Sequence, residues 1–93
     1  MPYIKQERRE RLDVSIEALI REIQASDEPD GEVNYVISRI AVGALLNASV
    51  PRYKDVARVI GAFQSACYEF YRRTASKIEE IAIQRNGDIK EYV

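Results

Sequence analysis

The last helical stretch of the sequence is too long for a compact chain of this size. Pro51 suits the start of a helix, and Asn86-Gly87 suit its C-terminal cap. A continuous helix over residues 51–85 would be about 52 Å long, whereas a compact domain of this length is roughly 32 Å across. The helix therefore either breaks near "TASK" (74–77) or extends beyond its own domain to meet another subunit.

A first, shorter helix is predicted near the N-terminus. Its start is either Asp13, acting as an N-cap, or a position within the preceding charged run "QERRER" (6–11). Its apolar residues recur at helical spacing and form one stripe. They are Leu12, Ile16, Leu19, Ile20 and Ile23. The acidic segment "SDEPDGE" (26–32) contains a proline and a glycine, which predicts a loop after this helix.

The second predicted helix runs from Gly31 to Asn47, with Asp30 as its N-cap. It has two stripes on nearly opposite sides. One consists of Val33, Ile37, Ile40 and Ala44, and the other of Tyr35, Arg39, Val42 and Leu46. A helix with two such faces is expected to be buried on two sides, so it lies either centrally in the fold or at a subunit interface.

These elements predict an all-α fold, with residues 1–93 forming one small three-helix bundle that has a long C-terminal helix and short extended tails. The C-terminal "DIKEYV" alternates apolar and polar residues, so a short strand against the N-terminal "PYI" is also expected. Because a core this small is marginal by itself, we expect a homo-oligomer.

Composition excludes several classes of function. The chain has no histidine, one cysteine and a formal charge of −1. It therefore lacks the commonest general base and metal ligand, and it has no overall attraction to nucleic acid. Cys67 has no partner for an intramolecular disulfide, and no apolar run reaches the length of a membrane span. We expect a cytoplasmic protein that is not an enzyme and that uses no metal, cofactor or membrane.

The long helix carries two faces. The first is a predicted core seam of apolar residues that includes Val56, Val59, Ile60, Phe63, Cys67 and Phe70. The second lies roughly 140° to 180° away, follows a 4-3-4-3-4 spacing and is basic at both ends. It consists of Lys54, Arg58, Gly61, Ser65, Tyr68 and Arg72. Tyr35 and Arg39 join this second face if the second helix packs alongside.

Three interpretations of the basic face stay open. It is a solvated surface, or Gly61 and Ser65 mark a close helix–helix contact, or the face binds a small anion. Arginine binds phosphate oxygens through two parallel hydrogen bonds, and a tyrosine ring offers a surface on which a base can stack. For the third interpretation, a phosphate-bearing nucleotide is the natural ligand, and Lys54, Arg58, Tyr68, Arg72, Arg39 and Tyr35 are the candidate binding residues.

Four blocks of the sequence resemble a known family. They are "MPYIK", "EVNYVISR" (32–39), "VIGAFQSACYEFYRR" (59–73) and "NGD" (86–88). They are similar to those of a family of short bacterial and phage-encoded proteins of about ninety residues with no assigned activity. Members carry a Pro-Tyr pair where this chain has Lys77-Ile78, so the family's long helix is expected to end there. The resemblance implies a small helical fold.

Two functions follow from these observations. The first is a non-catalytic oligomer that holds a small anionic ligand, by loose analogy with small phage-encoded helical oligomers that sequester nucleotide signals. The second is a protein–protein interaction module without a small-molecule ligand, which docks through the second and third helices. Nucleic-acid binding is disfavoured because no helix-turn-helix signature is present.

Overall fold

The computed structural model describes residues 2–46 and 49–93, which form helices and contain no β-strand. The helices are α1 (Gln6–Gln24), α2 (Pro29–Ile40), α3 (Tyr53–Phe70) and α4 (Ser76–Asn86). A π-helical turn, Ala41–Leu45, prolongs α2, and a second, Tyr71–Ala75, joins α3 to α4. The predicted all-α fold with a long C-terminal helix is confirmed. The predicted strand between the tails is wrong, because Lys90–Tyr92 forms a 3₁₀ turn instead.

Helix α1 begins within the charged run, so Asp13 lies inside the helix and is not its N-cap. The first turn is closed by the backbone carbonyl of Lys5, which accepts hydrogen bonds from the amides of Arg8 and Arg9 at 3.0 and 3.2 Å. The Arg9 side chain also donates to the carbonyl of Ile4 at 2.7 Å. No side-chain cap was therefore needed to start this helix.

Helix α2 begins at Pro29, so the predicted cap Asp30 lies in the first turn instead. Proline fits this position because the first helical N–H has no partner within the helix. The hydroxyl of Ser26 accepts a hydrogen bond from the Glu28 amide at 2.9 Å and donates one to the Glu32 carboxylate. This serine therefore ties the loop to the first turn of α2. The predicted end at Asn47 lies outside the described residues.

Helix α3 begins at Tyr53, two residues after the predicted start at Pro51. The Asp55 carboxylate accepts a hydrogen bond from the Arg52 amide at 2.9 Å, and the Arg52 carbonyl accepts one from the Asp55 amide at 2.9 Å. This reciprocal pair satisfies polar groups that the first turn would otherwise leave without partners.

The long C-terminal helix, residues 53–86, does not break at 74–77. Phe70 and Ser76, on either side of the second π-helical turn, both have right-handed helical dihedral angles. The Ser76 amide bonds to the carbonyl of Tyr71, five residues back, so the turn holds one extra residue without interrupting the helix. Gly87 ends the helix with a φ of 86°, a conformation that favours glycine, and its amide donates to the Ile83 carbonyl at 2.7 Å.

The chain divides into two units. The N-terminal unit is Tyr3–Ile60, and the C-terminal unit is Gly61–Val93 with Pro2. In the N-terminal unit α1 packs against α2. The single domain predicted for residues 1–93 stays a prediction.

The predicted core seam is largely open to solvent. Among the described residues only Val59 is buried, with 8% of its surface exposed. Phe70 was expected in the core but is 68% exposed, and the Cys67 thiol is exposed as well. For Phe70 and Cys67 the physical reason lies within the C-terminal unit, whose described residues hold one continuous helix and a 3₁₀ turn, so no second α-helix of that unit covers them.

Candidate functional site

Tyr35 and Arg39 are the two predicted site residues that the structure brings together. They are four residues apart on α2 and so share one face of the helix. The Arg39 guanidinium donates a hydrogen bond to the Tyr35 hydroxyl at 2.9 Å, and its central carbon lies 5.8 Å from the centre of the tyrosine ring. This distance is within the range of a cation–π contact. The pair holds the arginine against the aromatic ring at the surface of the N-terminal unit.

A surface groove of about 370 Å³ lies beside this pair. Leu19 of α1 lines one part of it, and residues of α2 and its π-helical turn line the rest. The latter are Tyr35, Val36, Arg39, Ile40, Gly43 and Ala44. A second depression, of about 340 Å³, shares Tyr35, Arg39 and Gly43 and also contacts Ser38 and Val42. Arg39 is therefore the one charged residue lining an otherwise largely apolar surface.

Arg58 lies in the N-terminal unit and contacts the backbone. Its guanidinium donates a hydrogen bond to the carbonyl of Leu45 at 2.6 Å. Leu45 is the last residue of the first π-helical turn, so its carbonyl is one of those that a helix end leaves without a helical partner. Arg58 therefore caps the end of the second helix from α3, which is a structural contact that its sequence position did not predict.

The remaining predicted residues divide between the two units. Lys54 is exposed in the N-terminal unit, whereas Tyr68 and Arg72 are exposed in the C-terminal unit. The Arg72 guanidinium makes two hydrogen bonds to the Glu69 carboxylate, at 2.6 and 3.3 Å. Part of the predicted positive charge is therefore neutralised within the helix itself.

One contact in the C-terminal unit was missed by the sequence analysis. The Tyr71 hydroxyl donates to the Glu79 carboxylate, whose two oxygens both lie 2.6 Å from it. In a regular α-helix, residues eight apart point roughly 80° away from each other. The π-helical turn absorbs one residue, which leaves an effective spacing of seven and an offset of roughly 20°. No ordinary helical spacing pairs these two residues, so the sequence offered no signal for the contact.

The same contact changes the acidity of the phenol. The hydrogen bond to Glu79 raises the pKa of Tyr71 above its ordinary value of 10.0, with smaller contributions from desolvation and from the negative charge of the carboxylate. All three effects favour the neutral phenol, which can donate the hydrogen bond.

An apolar groove of about 240 Å³ lies between the end of the second helix and the start of α3. It is lined by Ala41, Val42, Leu46, Val56, Val59 and Ile60. Val42 and Leu46 belong to one predicted stripe of the second helix, and Val56, Val59 and Ile60 belong to the predicted core seam of the third. The structure shows that the stripes meet along one groove, whose lining side chains carry no hydrogen-bonding group.

Metal-binding clusters and membrane-spanning helices are both absent from the described part of the chain. Among residues 2–46 and 49–93, no group of three or more Cys, Asp or Glu side chains is placed to hold a metal ion. None of the helices described is both long enough and apolar enough to cross a membrane.

Comparisons with known proteins give a family but no function. No curated protein and no solved structure matches the chain. One family model, described as "Domain of unknown function (DUF6899)", matches residues 1–89 and so covers nearly the whole sequence. The chain therefore belongs to the family described as Domain of unknown function (DUF6899).

Proposed function

We propose that the protein is a non-catalytic interaction module that works as a homo-oligomer, with its helices packing against those of further copies. One observation carries this proposal: Val59 is the only buried residue among those described. Twenty-five large apolar or aromatic side chains in the described residues are exposed, and every helix contributes to them. A chain that leaves its apolar stripes in water gains little from folding alone.

Association would supply the missing burial. Fully burying one large apolar side chain is worth about 1.5–3 kcal/mol, so covering several of the exposed ones adds an amount comparable to the whole net stability of a small domain, about 5–15 kcal/mol. Obligate homodimers often have no stable folded monomer for this reason. In an oligomer, the two exposed faces of the second helix would be buried by another copy of the chain.

The chain itself offers the surfaces that such a partner needs. The groove between the second helix and α3 is lined by apolar side chains alone. Phe70 and Ile78 on the long C-terminal helix, 68% and 66% exposed, are apolar side chains that a second copy can present to it. Most soluble oligomers are built from identical subunits, and a symmetric interface uses such a patch twice.

Gly61 is consistent with close packing between copies. It lies inside α3, where glycine costs about 0.5–1 kcal/mol relative to alanine. No side chain or neighbouring segment lies within 4 Å of the place where a β-carbon would sit, so nothing within the described chain requires glycine there. A second helix approaching at this position would require it.

Location and origin are part of the same proposal. The single cysteine supports a cytoplasmic protein in a reducing compartment, and the resemblance of the four sequence blocks supports a bacterial or phage origin.

The nucleotide-binding face built from Lys54, Arg58, Tyr68 and Arg72 receives less support, because Arg58 and Arg72 already bond within their own units.

Light scattering coupled to size exclusion tests the proposal. We expect a discrete mass that is a multiple of 10.7 kDa, with a helical circular dichroism spectrum. A helical species that stays at 10.7 kDa at a protein concentration of about 100 μM, far above the Kd expected of an obligate assembly, would contradict it.

A further inference from the structure

We propose that the groove beside Tyr35 and Arg39 binds a small molecule that combines an anionic group with a planar or aliphatic body. This inference goes beyond self-assembly, because it assigns a ligand class to a groove that shares no lining residue with the groove proposed for assembly. It rests on residues of the N-terminal unit alone.

The charge of the groove comes from Arg39. No carboxylate lines the groove, and in the described residues no acidic side chain pairs with the Arg39 guanidinium. Within the described chain the guanidinium contacts the hydroxyl and the ring of Tyr35. Arginine has five N–H donors, so most of them stay available to an anion beside the groove.

The geometry of the pair prepares it for such a ligand. Because the Tyr35 hydroxyl oxygen accepts the bond from Arg39, its own proton is available for donation to the same anion. The ring contact holds the guanidinium in place, which reduces the side-chain entropy lost on binding. A carboxylate or a phosphate accepts two parallel hydrogen bonds from a guanidinium, so both anions fit this chemistry.

The rest of the groove suits the body of the ligand. Leu19, Val36 and Ile40 provide an apolar wall, and Tyr35, which is 61% exposed, provides a ring for stacking. Gly43 and Ala44 have small side chains or none, so they leave space at the end of the groove near the π-helical turn. No side chain or neighbouring segment lies within 4 Å of the place where a Gly43 β-carbon would sit. The volume of about 370 Å³ falls at the small end of the range for ligand sites, which indicates a single small molecule rather than a polymer.

Calorimetry on the full chain tests this site with two probes, adenosine monophosphate for phosphate and indole-3-acetate for carboxylate. We expect at least one probe to bind, and adenosine without its phosphate to bind at least tenfold more weakly. Arg39→Gln should weaken the bound probe at least tenfold, Arg39→Lys should restore part of the loss, and Tyr35→Phe should weaken it by a smaller factor. Arg21→Gln, which changes an arginine of α1 outside the groove, is the matched control and should have no effect.

The outcomes separate this inference from the proposed assembly. If neither probe binds, or if Arg39→Gln and Arg21→Gln give the same affinity, the site assignment is overturned. The oligomeric mass of each variant is measured in the same samples. A variant that loses the probe and keeps the wild-type mass supports the site, whereas loss of both indicates that Arg39 acts through assembly and overturns the inference.

Discussion

Replacing Val42 with aspartate should disrupt self-association of the chain. Val42 lines the apolar groove between the second helix and α3, and it is 67% exposed. Complete burial of a valine is worth about 2 kcal/mol, so burying the exposed two thirds in an interface contributes about 1.3 kcal/mol per copy. In a two-fold symmetric dimer the residue is lost twice, which amounts to about 2.7 kcal/mol or roughly a hundredfold in Kd. Desolvation of the new carboxylate adds to this, so the hundredfold is a lower limit.

The assay is sedimentation equilibrium over a range of protein concentrations. Val14→Asp is the matched control, because Val14 is 75% exposed on the side of α1 opposite its apolar stripe and undergoes the same chemical change. The control should keep the wild-type Kd. If Val42→Asp stayed within threefold of the wild-type Kd, or if both variants weakened association equally, the groove would not be the interface.

Three further predictions concern other contacts. Gly61→Ala should weaken association, because a second helix is expected to occupy the space beside it; a gain of about 0.5–1 kcal/mol in unfolding free energy with unchanged mass would show that nothing approaches there. Arg58→Gln removes the hydrogen bond to the Leu45 carbonyl and should lower the unfolding free energy by about 1 kcal/mol, seen as a fall of about 4–8 °C in Tm at fixed protein concentration; an unchanged Tm would mean that the bond adds nothing. Tyr71→Phe should reduce stability at neutral pH, because the phenol loses its bond to Glu79. Since the pKa of Tyr71 is raised on folding, the advantage of wild type over this variant should be full below about pH 10 and should disappear as pH rises through the folded-state pKa; a difference independent of pH in urea unfolding would contradict this assignment.

The sequence predicts the helices well because their signals are local. Apolar periodicity places all of them, and Gly87 marks the end of the long helix because its positive φ is a property of one residue. The start of α1 is harder, because the backbone carbonyl of Lys5 closes the first turn and any residue can supply that group. Asp13 was a reasonable N-cap by residue type, yet the helix begins upstream of it.

The candidate site is predicted only in part, for a physical reason. The pairing of Tyr35 with Arg39 follows from a spacing of four residues and could be expected. The bond from Arg58 to Leu45 joins residues thirteen apart on different helices, so it depends on tertiary packing. The predicted basic face lies mostly within the regular helix α3, and Arg72 is its member that falls in a π-helical turn, where the register shifts by one residue.

The solvent exposure of the core seam also could not be predicted from the sequence. Periodicity identifies Val59 and Phe70 as members of one apolar stripe, but it does not say what covers the stripe. Within the described chain Val59 is covered and Phe70 is not. The same apolar periodicity occurs in a monomer whose core is complete and in a subunit whose core is completed only by association.

The most direct test of self-association is the urea midpoint of unfolding measured as a function of protein concentration. For a dimer that folds as it associates, each tenfold increase in concentration adds about 1.4 kcal/mol to the apparent stability, so the midpoint should rise steadily over the range from about 1 to 100 μM. A single cooperative transition whose midpoint is independent of concentration would contradict the account, because it would show a monomer that is stable by itself.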